Sequence, residues 1–202
     1  IVPVQEILEN LSKESSKFEL TRPQFLNEDV KITNAQKGTL MHMCFQKLDE
    51  KRVYTKQMLK EMIDGFVNKN IITELERDSI NLYKLYSYTQ SVLFKQLSKA
   101  KKVYKEQPFY INITSDEIYG NGIKDNILVQ GIIDLYYINE NDEVVLVDYK
   151  TDYVEKGKEN DLVKKYEKQL EIYKRALEEA LEKKVDKIFI YSVYLEKLVE
   201  IN

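Results

Sequence analysis

The feature that most constrains this chain is a pair of strand-like runs, each broken by an aspartate. Residues 127–138 (ILVQGIIDLYYI) and 143–149 (EVVLVDY) are rich in β-branched and aromatic side chains, and the polar turn Asn139-Glu140-Asn141-Asp142 separates them. Such composition predicts a β-hairpin. Asp134 and Asp148 violate the apolar patterning, and a buried charge costs several kcal/mol unless it is paired or holds a cation. Residues i and i+2 of a strand share a face, so Asp148 and Lys150 project the same way. A turn centred on Asn141 sets position 134 opposite position 148, where side chains point to one face about 5 Å apart. Two carboxylates and one amine thereby meet in a small patch.

The rest of the chain changes period along its length. Residues 35–49 carry Leu40, Met41, Cys44, Phe45 and Leu48 at helical spacing; 55–68 repeat the pattern, and 73–97 read as one or two more helices. Short strands are expected at 101–104 and 109–114 around Pro108. A long charged helix over 158–183 has an apolar seam at Leu162, Tyr166, Leu170, Tyr173, Leu177 and Leu181. Residues 186–194 read as a strand, with 197–201 pairing beside it. Residues 1–30 show no sustained period and read as an N-terminal arm with a short helix at 4–11; residues 31–202 read as one domain. The fold class is α/β: a helical N-terminal half, then a mixed central sheet flanked by helices.

Composition removes several function classes. The single cysteine, Cys44, excludes a disulfide framework, a four-cysteine zinc site and an iron–sulfur cluster held by this chain alone. No run of about 20 apolar residues is present, so no membrane partner is expected. Lys+Arg 31 against Asp+Glu 34 leaves a net charge of −3, which argues against a chain-wide basic surface. The first residue is Ile1, and the chain reads as a piece of a longer protein from a reducing compartment.

Two carboxylates this close repel unless a cation lies between them. Oxygen-rich sites with open positions suit Mg²⁺ or Mn²⁺, and such an ion polarises a phosphoryl oxygen and acidifies its bound water. With an ammonium beside them, the acids suggest phosphodiester hydrolysis. An Asp-x-Lys triplet alone is a common surface ion pair; its place inside an apolar hairpin gives it weight.

Four ordered motifs then carry a resemblance: Gly38-Thr39-Leu40-Met41-His42, Gly131-Ile132-Ile133-Asp134, Val147-Asp148-Tyr149-Lys150-Thr151 and Gln169-Leu170-Glu171-Ile172-Tyr173. Together they resemble the RecB-type branch of the PD-(D/E)XK nucleases. Arg22-Pro23-Gln24-Phe25-Leu26 and Lys105-Glu106-Gln107-Pro108-Phe109 are similar to stretches of the C-terminal nuclease domains of bacterial AddA-type helicase–nucleases.

The resemblance implies a restriction-endonuclease-like core and a metal-dependent DNA exonuclease acting in double-strand break repair and recombination. It implies His42, Asp134, Asp148 and the main-chain carbonyl of Tyr149 as metal ligands. Catalytic roles fall to Asp134, Asp148 and Lys150, with Gln169 and Tyr173 supporting the site from their helix; Glu106 matches a family acid of less defined role. Implied partners are single-stranded DNA delivered by a helicase, a helicase domain in the same parent chain and an AddB-type second subunit. By residue type alone, a lone helical His42 reads as structural more readily than as a ligand, Tyr173 reads at least equally well as core, and Glu106 as a solvated residue before a proline. The rival readings are a catalytically silent DNA-binding or scaffolding module of the same fold, or a free-standing exonuclease of the same branch.

Overall fold

The computed structural model describes residues 1–4, 6, 7, 31–120 and 122–201. The chain divides into two compact units, Ile1–Lys31 with Pro108–Ile132, and Ile32–Gln107 with Ile133–Asn202.

In the first unit, β1 (Val2–Pro3) pairs in parallel with Val129 and Gln130 of β3 (Asn126–Ile138). Val4, Glu6 and Ile7 are helical; the remainder of the arm expected over 1–30, including most of its helix, lies outside the described residues. A short helix, α6 (Ser115–Tyr119), was not foreseen; the Thr114 side chain caps it and Gly120 ends it in left-handed backbone. Gly131 is required by close approach: a Cβ there would lie 2.6 Å from the Phe109 ring and 3.2 Å from Val4. Gly131→Ala is therefore an overpacking substitution, expected to lower stability by about 1–3 kcal/mol. The check is a fall in the urea midpoint at unchanged slope.

The second unit opens with five helices: α1 (Asn34–Lys47), α2 (Lys56–Asn68), α3 (Glu74–Ser79), α4 (Leu82–Gln90) and α5 (Val92–Lys99). The segment expected to hold one or two helices holds three, because Asn81 and Ser91 interrupt it; each side chain accepts a backbone N–H of the following helix. Thr33 and Thr73 form capping boxes with Gln36 and Glu76.

The strands follow. β2 (Lys102–Thr114) is one continuous strand where two short ones were expected. Its only sheet neighbour among the described residues is β3, and an edge strand can lose the N–H that Pro108 lacks. The end of β3 runs antiparallel to β4 (Val144–Lys150), with Leu135 opposite Val147 and Ile138 opposite Val144. The next step of this register is 134 opposite 148, the pairing expected from a turn about Asn141. α7 (Glu159–Leu181) connects β4 to β5 (Lys187–Ser192), which lies parallel to β4, and β6 (Lys197–Ile201) pairs antiparallel with β5.

Alternation on β4 separates core from chemistry. Val145, Val147 and Tyr149 join Leu135, Tyr137 and Tyr191 in a core with Cys44, Phe45, Leu59, Leu85, Tyr88, Leu93 and Leu97 of the helices. Leu146, Asp148 and Lys150 take the opposite face, toward α7. The sheet is mixed and flanked by helices, as expected. Among the described residues no helix is long and apolar enough to cross a membrane.

Candidate active site

Every candidate residue lies in the second unit, and most converge where β3 meets β4. Asp134 is the hinge of the arrangement. Its Oδ2 accepts the Tyr149 backbone N–H at 2.9 Å, and its Oδ1 lies 3.5 Å from His42 Nδ1. The first contact holds one carboxylate oxygen against β4, leaving the second to face the imidazole on α1. Glu106 of β2 completes a cluster: ligand-capable atoms of His42, Glu106 and Asp134 all lie within 4.8 Å of one another.

Glu106 reaches this position through an unusual backbone. Its φ is +50°, left-handed for a residue other than glycine inside a strand, a conformation that costs on the order of 1 kcal/mol and collects at functional sites. The neighbouring Lys105 fixes the strand against the end of α1. Its Nζ donates to the Leu48 carbonyl at 2.5 Å and the Gln46 carbonyl at 3.3 Å, and it pairs with Glu50. The helix that carries His42 and the strand that carries Glu106 are thus tied together.

Asp148 sits beside this cluster, 2 % exposed. Its Oδ2 lies 2.8 Å from Lys150 Nζ. We read the contact as an ion pair. Burial pushes the Asp148 pKa up to about 6; Lys150 opposes the rise and the charge of Asp134 adds to it. Lys150 Nζ also donates to Gln169 Oε1 at 3.1 Å and lies 4.1 Å from the centre of the Tyr166 ring. Burial works against its charge, but Asp148 and Asp134 outweigh burial and hold its pKa above the usual lysine value. The ammonium is therefore fixed and charged. Gln169 Nε2 in turn donates to the Tyr173 hydroxyl at 2.6 Å, so this helix pair supports Lys150.

For His42, burial disfavours the charged form, but the hydrogen bond and charge of Asp134, with the charge of Asp148, raise its pKa. Glu106 is also raised, by burial first and then by Asp134. Excess negative charge shared among half-buried acids is the pattern a cation relieves. One imidazole, two carboxylates and the adjacent buried carboxylate of Asp148 make a donor set that fits a divalent ion.

Tyr149 divides in two. Its ring packs in the aromatic core, 4.9 Å from Phe45, and stands edge-to-face on the His42 ring at 5.7 Å; its hydroxyl meets that of Tyr88 at 2.7 Å, and its backbone N–H donates to Asp134. Two residues were undervalued in the sequence. Glu106 belongs to the cluster, and the sign of this was its place in the Lys-Glu-Gln-Pro-Phe stretch. Tyr166, read as part of the apolar seam, lies beneath Lys150 and donates its hydroxyl to Asp152 at 2.8 Å; its spacing of three from Gln169 set it on the same face.

Comparison with known proteins gives the family. The family model of the PD-(D/E)XK nuclease superfamily matches residues 7–200. The chain belongs to that superfamily. It is 38 % identical over 186 residues to the AddA subunit of the ATP-dependent helicase/nuclease of Clostridium novyi, a match covering 90 % of this chain and 15 % of that protein. The corresponding protein of Clostridium acetobutylicum is 35 % identical over 217 residues, covering all of this chain and 17 % of the relative. That from Thermoanaerobacter sp. X514 is 36 % identical over 185 residues, 90 % of this chain and 15 % of the relative. The chain spans about one-sixth of the length of these relatives. Nucleases of this superfamily use divalent metal ions, and the chain is a nuclease domain by family.

Proposed function

We propose that this chain is the nuclease domain of an AddA-type helicase–nuclease and hydrolyses DNA phosphodiesters with Mg²⁺ or Mn²⁺. Its substrate is a single strand, delivered by a helicase domain of the same parent chain, in bacterial cytoplasmic double-strand break repair and recombination with an AddB-type partner. The observation that carries the reading is the His42–Glu106–Asp134 cluster set beside the Asp148–Lys150 pair on two adjacent strands.

His42, Glu106, Asp134 and Asp148 would hold the ion, with the Tyr149 carbonyl on the same stretch of β4. When bound, the ion supplies a Lewis acid for the phosphoryl oxygens and acidifies its water. Lys150, held charged, has no lone pair with which to take a proton. Its part is electrostatic, orienting the attacking water and offsetting negative charge that grows on the phosphate. Gln169 and Tyr166 keep the ammonium in that place, and Tyr173 keeps Gln169.

The test is cleavage of end-labelled single-stranded DNA by this chain in Mg²⁺, Mn²⁺ and EDTA, beside thermal unfolding under the same conditions. Cutting is expected in both metals and not in EDTA. An ion at about 100 times its Kd adds roughly 2.7 kcal/mol of stability, which for a chain this size raises Tm by about 5–10 °C. With a histidine in the donor set, Mn²⁺ is expected to bind more tightly than Mg²⁺. His42→Ala and Asp134→Asn should remove most of the shift. No cutting together with no shift would leave a silent module of the same fold.

A further inference from the structure

A groove of about 660 Å³ runs along the exit of β4, lined by Lys37, Gly38, Lys84, Thr151, Tyr153 and Tyr194 among others. Two of its lining residues neighbour candidate residues along the chain. Thr151 follows Lys150 in the chain, and Gly38 lies one helical turn, about 5.4 Å, before His42 on the same face of α1. A side chain at position 38 would close the floor, because a Cβ there would stand 2.9 Å from Thr151 Oγ1.

Two tyrosines stand on its wall. Tyr153 is 73 % exposed and Tyr194 44 % exposed, and their ring centres are 4.7 Å apart at 67°. Scattered exposed apolar residues need no explanation, but this is a fixed pair. Lys84 of α4 lies 5.5 Å from the Tyr194 ring centre, donates to the Tyr194 carbonyl at 2.8 Å and pairs with Glu196 at 2.6 Å. Lys84 is thereby neutralised and serves as a brace. Asp152, the acid on the same wall, is likewise taken up by Lys165 and Tyr166. Lys37 at the opening of α1 is exposed. The groove therefore offers an exposed cation in its lining and, on its wall, an exposed Tyr153 ring set edge-to-face against Tyr194, in segments that lead into the candidate residues. This combination matches an unpaired polynucleotide, whose phosphates need cations and whose bases need stacking partners.

We propose that Tyr153 and Tyr194 form a base-stacking clamp that seats single-stranded DNA beside the candidate active site, with Lys37 contacting its backbone. The clamp rests on the nuclease reading for its purpose, but its binding is testable apart from catalysis. It favours single strands because bases inside a duplex already stack on one another and present no free face.

The experiment is fluorescence-anisotropy binding of a short oligo-dT strand to this chain in EDTA, with an abasic strand and a duplex of equal length as comparisons. The wild-type chain should bind oligo-dT about ten-fold or more tightly than the abasic strand. Tyr153→Ala and Tyr194→Ala should each weaken oligo-dT binding roughly ten-fold and leave abasic binding unchanged. Tyr153→Phe and Tyr194→Phe should retain it, since stacking needs the ring and not the hydroxyl. Equal binding of oligo-dT and abasic strands, or alanine variants that bind as the wild type does, would overturn the clamp, even if metal-dependent cutting persists. Absence of oligo-dT binding at high protein concentration would overturn it too. A clamp that behaves as expected on a chain that never cuts would refute only the nuclease reading.

Discussion

Replacing Lys150 by methionine is expected to slow metal-dependent cleavage on the order of 10³-fold while leaving DNA affinity nearly unchanged. The lysine is not a mobile surface cation. Asp148 at 2.8 Å, Gln169 at 3.1 Å and the Tyr166 ring at 4.1 Å enclose its ammonium. It is thus aligned before substrate arrives, and a fixed charge in a partly dehydrated site stabilises developing charge without reorganisation. Methionine keeps most of the packing and removes only the charge. Arginine should not rescue the rate, because a planar guanidinium does not fit the space of a compact ammonium held on three sides. Single-turnover rates with enzyme in excess would separate the chemical step from binding. A variant that cuts within ten-fold of wild type, at equal protein and metal, would remove Lys150 from the mechanism. Gln169→Leu should lose about ten-fold, since Gln169 reaches the site only through the lysine and its effect must pass through it.

The parts of this site that were legible in the sequence are those set by strand period. Alternation in Val145–Lys150 and a turn centred on Asn141 were enough to put positions 134 and 148 opposite one another, and the observed register of Leu135 with Val147 agrees. Helical spacing likewise put Gln169 and Tyr173 on one face, where a hydrogen bond now joins them. What escaped was set by backbone conformation and by contacts distant in sequence. Pro108 suggested a break between two short strands, because a proline forfeits a ladder hydrogen bond; on a strand with one neighbour that loss costs little. Glu106 read as solvated because nothing local signals a left-handed φ. Beside it, Lys105 reaches across some sixty residues of sequence to the end of α1, a contact no periodicity encodes. Tyr166 was assigned to the seam for a similar reason: its ring is apolar enough to pack, and only the fold sets Lys150 over it. The two aromatic residues of the groove, Tyr153 and Tyr194, lie just beyond β4 and β5, in segments whose positions follow from the parallel pairing of those strands.

The buried pair Asp148–Lys150 should also reveal itself as a site that function maintains at the expense of stability. Desolvation raises the Asp148 pKa to about 6 even with Lys150 opposing it, so the folded chain binds this proton more tightly than the unfolded chain, whose carboxyl titrates near 4. Stability from this group is full below the unfolded value and is lost as pH rises through about 6. Removing Lys150 alone deprives the carboxylate of its nearest cation. In EDTA at pH 8, Lys150→Met should therefore destabilise the fold by about 3–5 kcal/mol, the cost typical of a buried charge left unpaired. At pH 5 the acid can take up a proton instead, and most of that penalty should disappear. The double variant Asp148→Asn with Lys150→Met removes both charges. It should recover the wild-type urea midpoint at pH 8 or exceed it, because a neutral pair of similar size carries no desolvation penalty, and it should remain inactive. A double variant as unstable as the single one at pH 8 would show that the lysine supports the fold by packing and not by charge. Recovery of stability without activity would separate the two roles: the fold tolerates the loss of these charges, and only hydrolysis requires them.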